Sequence, residues 1–289
     1  MKFVTYKYKG AEHVGALTTD ESAVIPASEL GLKAESMLEL IDELAGKLPA
    51  VPEKAKALPL GEVKLEAPIP EPRQDIICLG LNYRDHAEEA TRADAVFDVQ
   101  RGDAVYFSKR LQRAVAPGDR IDGHFDICDS LDYEVELGVV IGRDAKNVKA
   151  AEAGEYIFGY TIINDVSARN LQTRHKQWYF GKSLDDFTPM GPCIISAETV
   201  GAMPELGIRC YVNGEKRQDS NTRMMIFDIP YIIEELSAGM TLKAGTIIAT
   251  GTPSGVALGM EPSVQKYLES GDVVRCEIDG IGVLENTIA

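Results

Sequence analysis

The sequence predicts an α+β protein that is predominantly β. Three observations support this class: short runs rich in β-branched and aromatic residues recur, turn dipeptides separate several of them, and helical periodicity is rare. Beyond residue 73 the strand-like runs are DIICLG, AVYFS, YEVELGVVIG, YIFGYTIIND and GTIIATG. Asn213-Gly214 and Asp279-Gly280 are typical of tight β-hairpin turns, so each predicts a pair of antiparallel strands.

A small N-terminal domain is predicted over residues 1–66 and a larger domain over residues 73–289. The first combines a strand-like opening, MKFVTYKY, with the helical stretch SMLELIDELAGKL, in which apolar residues recur at spacings of three and four. The segment EAPIPEPRQD between the domains has three prolines and breaks both patterns, which places the border there. In the larger domain, helices are predicted only for NYRDHAEEA, VSARNLQTR and DIPYIIEELSAG.

The composition and charge of the chain exclude several classes of function. Its formal net charge of -15 argues against a nucleic-acid partner, because such proteins bind largely by neutralising phosphates with basic surface. No apolar run approaches the ~20 residues that span a bilayer, and the first residues alternate apolar and polar, unlike a signal peptide. We therefore expect a cytoplasmic protein without a membrane partner. The five cysteines are scattered without a CxxC pair and predict small buried thiols.

The stretch Asp132-Tyr-Glu134-Val-Glu136 is the most informative for chemistry. Alternate side chains of a strand share a face, so Asp132, Glu134 and Glu136 are predicted to lie in a row. Two unit charges ~4 Å apart repel by ~4 kcal/mol at an effective dielectric constant of ~20, so such a row is tolerated in open water or around a cation. The apolar LGVVI that follows indicates buried sheet and favours the cation; the alternative is a solvated strand edge.

A fourth carboxylate, Asp165, ends the strand-like YTIIND and precedes a helical segment. It could join Glu134 and Glu136 in a three-carboxylate pocket or cap the helix, and these roles are not exclusive. Ligands that are all carboxylate oxygens select Mg²⁺, Mn²⁺ or Ca²⁺ over zinc or copper. The sequence therefore predicts a hard-cation site with positions open to the oxygens of an oxo acid.

Three further segments carry candidate functional residues. In NYRDHAEE, Glu89 follows His86 by three residues and could orient its ring as a general base, although an acidic surface helix gives the same pattern. Lys182 lies in the aromatic, glycine-rich WYFGKSLDDFTPMGP, where it could stabilise an oxyanion or pair with a substrate carboxylate. The loop TGTPSG, which contains Thr252, could hold a carboxylate or form an ordinary tight turn.

Five segments together resemble the fumarylacetoacetate hydrolase family, including its acylpyruvate hydrolase and oxaloacetate decarboxylase members. They are CLGLNYRDHAEE, DYEVELGVVIG, GYTIINDVSARNLQ, GKSLDDFTPMGP and TGTPSGVALG, in the order of that family, within residues 73–288. The resemblance implies a mixed β-sheet roll for the large domain, a small variable N-terminal domain and a homodimer. It also implies that Glu134, Glu136 and Asp165 bind Mg²⁺ or Mn²⁺.

The same resemblance implies roles for the other motif residues. His86 and Glu89 correspond to a catalytic dyad on a lid, and Lys182 to an active-site lysine. The polar residues on the substrate side correspond to Arg169 and Gln172, and the substrate carboxylate contact to Thr252. Asn170 stands where the family commonly has Asp. The segment TRADAVFDVQRGD after the dyad is expected to influence substrate specificity.

These parts predict a hydrolase that cleaves a carbon-carbon bond in 2,4-dioxo acids such as acylpyruvates or fumarylpyruvate. His86 would activate the attacking water, while Lys182 and Arg169 would give the loaded pocket a net positive charge that attracts an anionic substrate. One alternative is a decarboxylase or isomerase of oxo-dicarboxylic acids, as in aromatic-ring degradation. A more remote alternative is a non-catalytic calcium-binding β protein, in which the acidic row is only a stabilising site.

Overall fold

The computed structural model describes residues 1–92 and 102–289 of the chain. Strands dominate the described part, and the helices there are short. The prediction of a predominantly β, α+β fold built on a mixed sheet is therefore confirmed. The predicted specificity segment TRADAVFDVQRGD falls mainly on residues 93–101, which lie outside the described residues.

Two larger sheets contain most of the strands. The first sheet has the order β4-β3-β2-β1-β13-β11-β10-β16-β6-β7, with β5 also paired to β1, and the second has the order β15-β14-β17-β18-β8. A third, two-stranded sheet joins β9 and β12. The strands of the described residues are β1 (Lys2–Tyr8), β2 (Ala11–Leu17), β3 (Ala23–Pro26), β4 (Leu58–Pro59), β5 (Lys64–Leu65), β6 (Ile76–Gly80), β7 (Val105–Lys109), β8 (Arg120–Ile121), β9 (Leu131–Asp132), β10 (Val135–Ile141), β11 (Ile157–Asn164), β12 (Ser167–Ala168), β13 (Met190–Ser196), β14 (Gly207–Val212), β15 (Glu215–Asn221), β16 (Ile247–Ala249), β17 (Val273–Ile278) and β18 (Gly282–Ile288).

Both hairpins that the turn dipeptides predict are present. Strands β14 and β15 pair antiparallel across Asn213-Gly214, and β17 and β18 pair antiparallel across Asp279-Gly280. In the first turn both residues have positive φ angles, 52° for Asn213 and 80° for Gly214, which is the conformation that such a turn requires.

The last helix begins where the segment DIPYIIEELSAG predicts it. Asp228 accepts a hydrogen bond from the Tyr231 amide and begins the last helix, as predicted. The first helix ends at Leu44, earlier than its apolar periodicity predicts, because Ala45 adopts a left-handed conformation. The helices of the described residues are α1 (Met37–Leu44), α2 (Arg84–Arg92), α3 (Arg169–Arg174), α4 (Tyr179–Lys182), α5 (Ala197–Val200) and α6 (Ile229–Gly239).

The large sheet runs across the predicted domain border. Strand β1 pairs antiparallel with β13, so that Phe3 lies opposite Ile194, and the N-terminal strands thereby extend the sheet of the larger domain. Phe3 also packs against the ring of Phe158, with 5.1 Å between the ring centroids. The N-terminal residues therefore share a hydrophobic core with the rest of the chain, and the division into two domains stays a prediction.

Each face of the large sheet is covered. Alternate residues of β10, from Val135 to Ile141, pack with residues of the second sheet such as Ile208 and Val274. On the opposite face, Val140 belongs to a core that includes Leu40 of α1. Because both faces are buried, β10 is apolar along its length except for Glu136 near its start, and this carboxylate needs a compensating partner.

The strand that was predicted to carry the acidic row is interrupted. Asp132 ends β9, and Val135 begins β10, so the two residues between them belong to neither strand. Asp132 pairs with Ser167 of β12 in the separate small sheet. Simple alternation therefore does not extend from Glu136 back to Asp132, and the prediction of one continuous strand that carries all three acids is wrong.

Candidate metal centre and active site

Three carboxylates converge where β10 begins and β11 ends. Glu134 immediately precedes β10, Glu136 is its second residue, and Asp165 directly follows β11. Val135 lies opposite Asn164 in the antiparallel pair, so these positions meet at one end of the two strands. One carboxylate oxygen from each acid lies within 4.8 Å of those of the other two, and all three side chains are buried.

The two alternative roles for these acids, a solvated strand edge and a helix cap, disagree with the structure. A solvated strand edge requires exposed side chains, whereas Glu134 is 6% exposed, Glu136 1% and Asp165 0%. Helix α3 begins at Arg169 with Ala168 as its N-cap residue, so the carboxylate of Asp165 does not cap it. The acids instead form a buried anionic cluster, which we call the carboxylate triad.

Two buried lysines contact the triad. The Nζ atom of Lys182 lies 2.7 Å from Oε2 of Glu134 and 2.7 Å from Oδ2 of Asp165. The Nζ atom of Lys109 lies 2.7 Å from Oδ1 of Asp165 and donates to the carbonyl oxygen of Val166 at 2.9 Å. Lys109 was not identified from the sequence as a site residue. Its position at the end of the strand AVYFSK could have indicated one, because a lysine is rarely buried in such a strand without a charged partner.

The carboxylate triad is electrostatically unbalanced at Glu136. Burial, with Asp165 and Glu134 close by, raises the pKa of Glu136 well above its ordinary value. Burial also opposes ionisation of Glu134, but Lys182 and Arg169 outweigh it and hold the pKa of Glu134 at about 2. In the described part of the chain no lysine or arginine forms an ion pair with Glu136, which accepts only the Gly251 amide at 2.9 Å.

This donor set fits a hard divalent cation. All three groups offer carboxylate oxygens, which Mg²⁺ and Mn²⁺ prefer, and neither imidazole nor thiolate belongs to the triad. A divalent cation would also compensate the charge of Glu136 that the two lysines leave unpaired. The residues present therefore match the metal that the sequence predicts.

Arg169 connects the triad to Asp132. Its Nε donates to Oδ2 of Asp132 at 2.8 Å, its Nη2 lies 2.6 Å from Oε1 of Glu134, and its Nη1 donates to Oε1 of Gln172 at 2.9 Å. All four side chains are buried. The predicted acid Asp132 is thus linked to Glu134 through the guanidinium group and is not part of the carboxylate triad.

His86 and Glu89 form a hydrogen-bonded pair on α2. The Nδ1 atom of His86 lies 3.0 Å from Oε2 of Glu89, as the spacing of three residues predicts. A carboxylate accepts hydrogen bonds, so this contact favours the ring tautomer that carries its proton on Nδ1 and leaves Nε2 free to act as a base. The surface-helix alternative does not hold, because both side chains are largely buried and line the same pocket as Glu134 and Glu136.

The TGTPSG loop holds carboxylates, but these belong to the protein. The Gly251 amide donates to Glu136, and the Gly255 amide donates to Oε1 of Glu89 at 3.0 Å. The hydroxyl of Thr252 donates to the carbonyl oxygen of Val135 at 2.9 Å and accepts from the side chain of Gln218. Thr252 lines the pocket, but its proton is committed to the backbone, so its predicted contact with a substrate stays a prediction.

A single pocket brings the predicted site residues together. Its space of about 550 Å³, including the mouth open to solvent, is of the size that small-molecule sites have. One wall is aromatic: the ring of Trp178 packs edge-on against Phe107, with 5.1 Å between centroids, and closes against Gly80. The predicted residues that line the pocket are His86, Glu89, Glu134, Glu136, Arg169, Gln172, Lys182 and Thr252, with Asp165 behind them.

Two predictions about composition can be compared with the structure. All five cysteines are buried and unpaired, as predicted. Within residues 1–92 and 102–289, no helix is both long and apolar enough to cross a membrane.

Comparisons with known proteins agree with this architecture. The family model described as fumarylacetoacetate (FAA) hydrolase C-terminal matches residues 75–289. The oxaloacetate tautomerase YisK of Bacillus subtilis (strain 168) is 48% identical over 229 residues, which is 79% of this chain and 74% of that protein.

Two solved structures share the fold over the whole chain. The fumarylacetoacetate hydrolase of Exiguobacterium antarcticum is 37% identical with a TM-score of 0.85, covering 100% of this chain and 99% of that one. Maleylpyruvate hydrolase from Sphingobium sp. SYK-6, solved with manganese(II) ion and pyruvate, is 27% identical with a TM-score of 0.76 and the same coverage. The sequence motifs, the family model and these matches all agree, and the chain belongs to the fumarylacetoacetate hydrolase family.

Proposed function

We propose that this protein is a divalent-metal-dependent hydrolase that cleaves a carbon-carbon bond in 2,4-dioxo acids of the acylpyruvate or fumarylpyruvate type. One observation carries the proposal: Glu134 and Glu136 of the carboxylate triad line the same pocket as the His86–Glu89 pair. A cation site next to an oriented imidazole base provides the two groups that an enolate-forming cleavage requires.

In this proposal Glu134, Glu136 and Asp165 hold Mg²⁺ or Mn²⁺. The bound metal would supply Lewis-acid stabilisation of negative charge at the 2-oxo group of the substrate. The complex of maleylpyruvate hydrolase with manganese(II) ion and pyruvate supports both a divalent cation and a 2-oxo acid as occupants of such a site.

The dyad provides the proton transfers. His86, whose Nδ1 donates to Glu89, takes a proton at Nε2 from a water molecule, and the water oxygen attacks the 4-oxo carbon of the substrate. The bond between carbons 3 and 4 then breaks, its electron pair forms the enolate of pyruvate, and the proton on His86 passes to carbon 3. The products are pyruvate and a carboxylic acid, which together contain all atoms of the dioxo acid and the water.

Charge balance permits an anionic substrate. Among the described residues at the site, Lys109, Lys182 and Arg169 nearly offset the three triad carboxylates and Asp132, leaving one negative charge. A divalent cation reverses the sign of this ion-pair network, and the carboxylate of Glu89 then brings the loaded pocket to neutrality, inside a protein of formal net charge -15.

A second candidate function is proton transfer without hydrolysis, as a tautomerase, isomerase or decarboxylase of oxo-dicarboxylic acids such as oxaloacetate. The oxaloacetate tautomerase that is 48% identical to this chain favours it. The same dyad would move a proton at carbon 3, and no water would need to attack. The two candidates therefore differ in whether water enters the products.

A panel of acylpyruvate, fumarylpyruvate, oxaloacetate and hydroxymuconate derivatives tests both, with Mg²⁺ or Mn²⁺ added and then removed by chelation. Pyruvate with a second acid indicates hydrolysis, CO₂ indicates decarboxylation, and a changed ultraviolet spectrum without cleavage indicates tautomerisation. His86→Gln should stop hydrolysis, whereas decarboxylation could survive it. If Ca²⁺ stabilises the protein but no oxo acid turns over with either metal, the non-catalytic calcium-binding alternative is correct.

We also propose that the protein is a homodimer in the cytoplasm. Exposed apolar side chains, including Phe125, Ile127 and Phe180, support an interface between copies. Light scattering on a size-exclusion column measures the mass directly, and a mass of one chain would contradict the proposal.

A further inference from the structure

The backbone amides of one loop, residues 251–259, hold three carboxylates that belong to different parts of the site. The Gly251 amide donates to Glu136 of the triad, and the Gly255 amide donates to Glu89 of the dyad. The amides of Ala257 and Leu258 donate to Asp132, at 2.9 and 3.0 Å, which in turn holds Arg169. Amides that donate to carboxylates form strong, directional hydrogen bonds, so the loop fixes these groups relative to one another.

The loop itself is rigidly anchored by a buried side chain. Gln218 is fully buried, and its Nε2 donates to Oγ1 of Thr252 and to the carbonyl oxygen of Pro253, each at 2.8 Å. Its Oε1 accepts from the amide of Val135 at 3.1 Å. Gly255 has a φ of +101°, and a Cβ there would lie 2.0 Å from the carbonyl oxygen of Arg217, so the loop is pressed directly against β15. The amide that faces Glu89 therefore has little freedom to move.

Gly259 leaves the space that the carboxyl group of Glu89 occupies. A Cβ at Gly259 would lie 2.2 Å from Cδ of Glu89 and 2.6 Å from its Oε1. Its three nearest atoms all belong to Glu89, and its φ is not in the left-handed region, so an alanine there is compatible with the backbone. The absence of a side chain at this position is thus explained by Glu89 and not by a turn.

We propose that Gly255 and Gly259 are positioning residues of the dyad, forming a fitted seat for the carboxylate of Glu89. Gly255 supplies the amide that donates to the carboxylate, and Gly259, which lacks a side chain, leaves the space that the carboxylate occupies. The seated carboxylate accepts the Nδ1 proton of His86 and so presents Nε2 of the ring as the base. The inference rests on the proposed function only for its effect on turnover; the seat and the protonation of the ring are testable without a substrate.

The decisive variant is Gly259→Ala, with Gly239→Ala as its matched control. Gly239 has no atom within 4 Å of an added Cβ and an ordinary φ, so its variant makes the same chemical change without a collision. Nitrogen-15 NMR of histidine-labelled protein, with His86 assigned from a His86→Gln sample, reports which ring nitrogen carries the proton. We expect His86 to be protonated at Nδ1 in the wild type and in Gly239→Ala, and to lose this preference in Gly259→Ala.

On a substrate that the wild type turns over, Gly259→Ala should lower kcat by about 100-fold, the scale of a 1 Å misplacement, with little change in KM. An unchanged His86 tautomer in a folded Gly259→Ala protein would overturn the proposal, as would an increase in KM with unchanged kcat, because the methyl group would then only obstruct the pocket. If the wild type has no activity on any oxo acid, the proposed function fails. The NMR result still shows whether Gly259 positions Glu89 against His86.

A double-mutant cycle separates the seat from general damage. Glu89→Ala removes the atoms that the new methyl group would meet, so adding Gly259→Ala to that background should change neither turnover nor stability further. If Gly259→Ala alone is unstable, recovery of stability in the double variant supports the seat. Equal instability with and without Glu89 would contradict it.

Discussion

The ammonium group of Lys182 lies 2.7 Å from Oδ2 of Asp165, and both side chains are buried. Burial by itself lowers the pKa of this lysine, but Asp165 and Glu134 outweigh it and raise the pKa above its ordinary value. The lysine is therefore charged, and it compensates two acids of the triad while leaving Glu136 without a cationic partner. This relationship determines how the site should respond to metal and to mutation.

Binding of a divalent cation should stabilise the folded protein. At a metal concentration 100-fold above Kd, Mg²⁺ or Mn²⁺ should raise the free energy of unfolding by about 2.7 kcal/mol, because the ion binds the folded state alone. Thermal unfolding with and without the metal measures this increment. Glu136→Gln should abolish it while leaving the metal-free protein at least as stable, since burial and the neighbouring acids disfavour the ionised form of Glu136 and the substitution removes that ionisable group. An equal increment in the variant would show that the ion binds elsewhere.

Removal of the Lys182 charge should destabilise the metal-free protein strongly. Lys182→Met leaves Glu134 and Asp165 less compensated in a buried site, which costs roughly 3–5 kcal/mol. Added Mn²⁺ should restore part of this loss, since a cation replaces the missing charge. Chemical denaturation measures both values.

The matched control for this variant is an exposed ion pair. Lys149 contacts Glu234 at 3.1 Å, but its side chain is 74% exposed. Lys149→Met should therefore leave the unfolding midpoint unchanged within error. If both lysine variants unfold at the same denaturant concentration, the buried network contributes nothing specific.

The fluorescence of Trp178 should report ligand binding directly. It is the single tryptophan of the chain and lies in the wall of the pocket, so its emission has no background from other tryptophans. Titration with pyruvate should change its intensity when Mg²⁺ is present, and the change should disappear in Asp165→Asn, which weakens the metal site. A titration that is identical with and without Mg²⁺ would contradict the proposed mode of substrate binding.

The cysteines should be unreactive in the native protein. Burial raises the pKa of Cys193 to about 12 and the pKa of Cys78 well above its ordinary value. Thiol reagents attack the thiolate, and a raised pKa reduces the thiolate fraction at any pH below it, so labelling at pH 8 should be negligible. In denaturant all five thiols should react. Rapid labelling of one thiol in the native protein would reveal an exposed, activated cysteine that the fold does not show.

The sequence by itself determined the features that depend on short spacing along the chain. Strand composition, the Asn213-Gly214 turn and the helix start at Asp228 are local, and so is the distance of three residues that brings His86 to Glu89. Convergence of the triad was also predictable, because Glu136 lies on one strand and Asp165 follows the end of another. In each case the backbone geometry of one or two secondary-structure elements is sufficient to predict which residues lie close together.

Only the tertiary structure decided which distant groups compensate these charges. Asp132, which ends β9, forms an ion pair with Arg169. Lys109 at the end of β7 forms an ion pair with Asp165. The Gly255 amide donates to Glu89 across 166 residues of sequence. Such contacts depend on how curved sheets and loops pack, and no periodicity in the sequence encodes that packing. Burial then imposes the pairing, since a charge removed from water is tolerated only beside a partner.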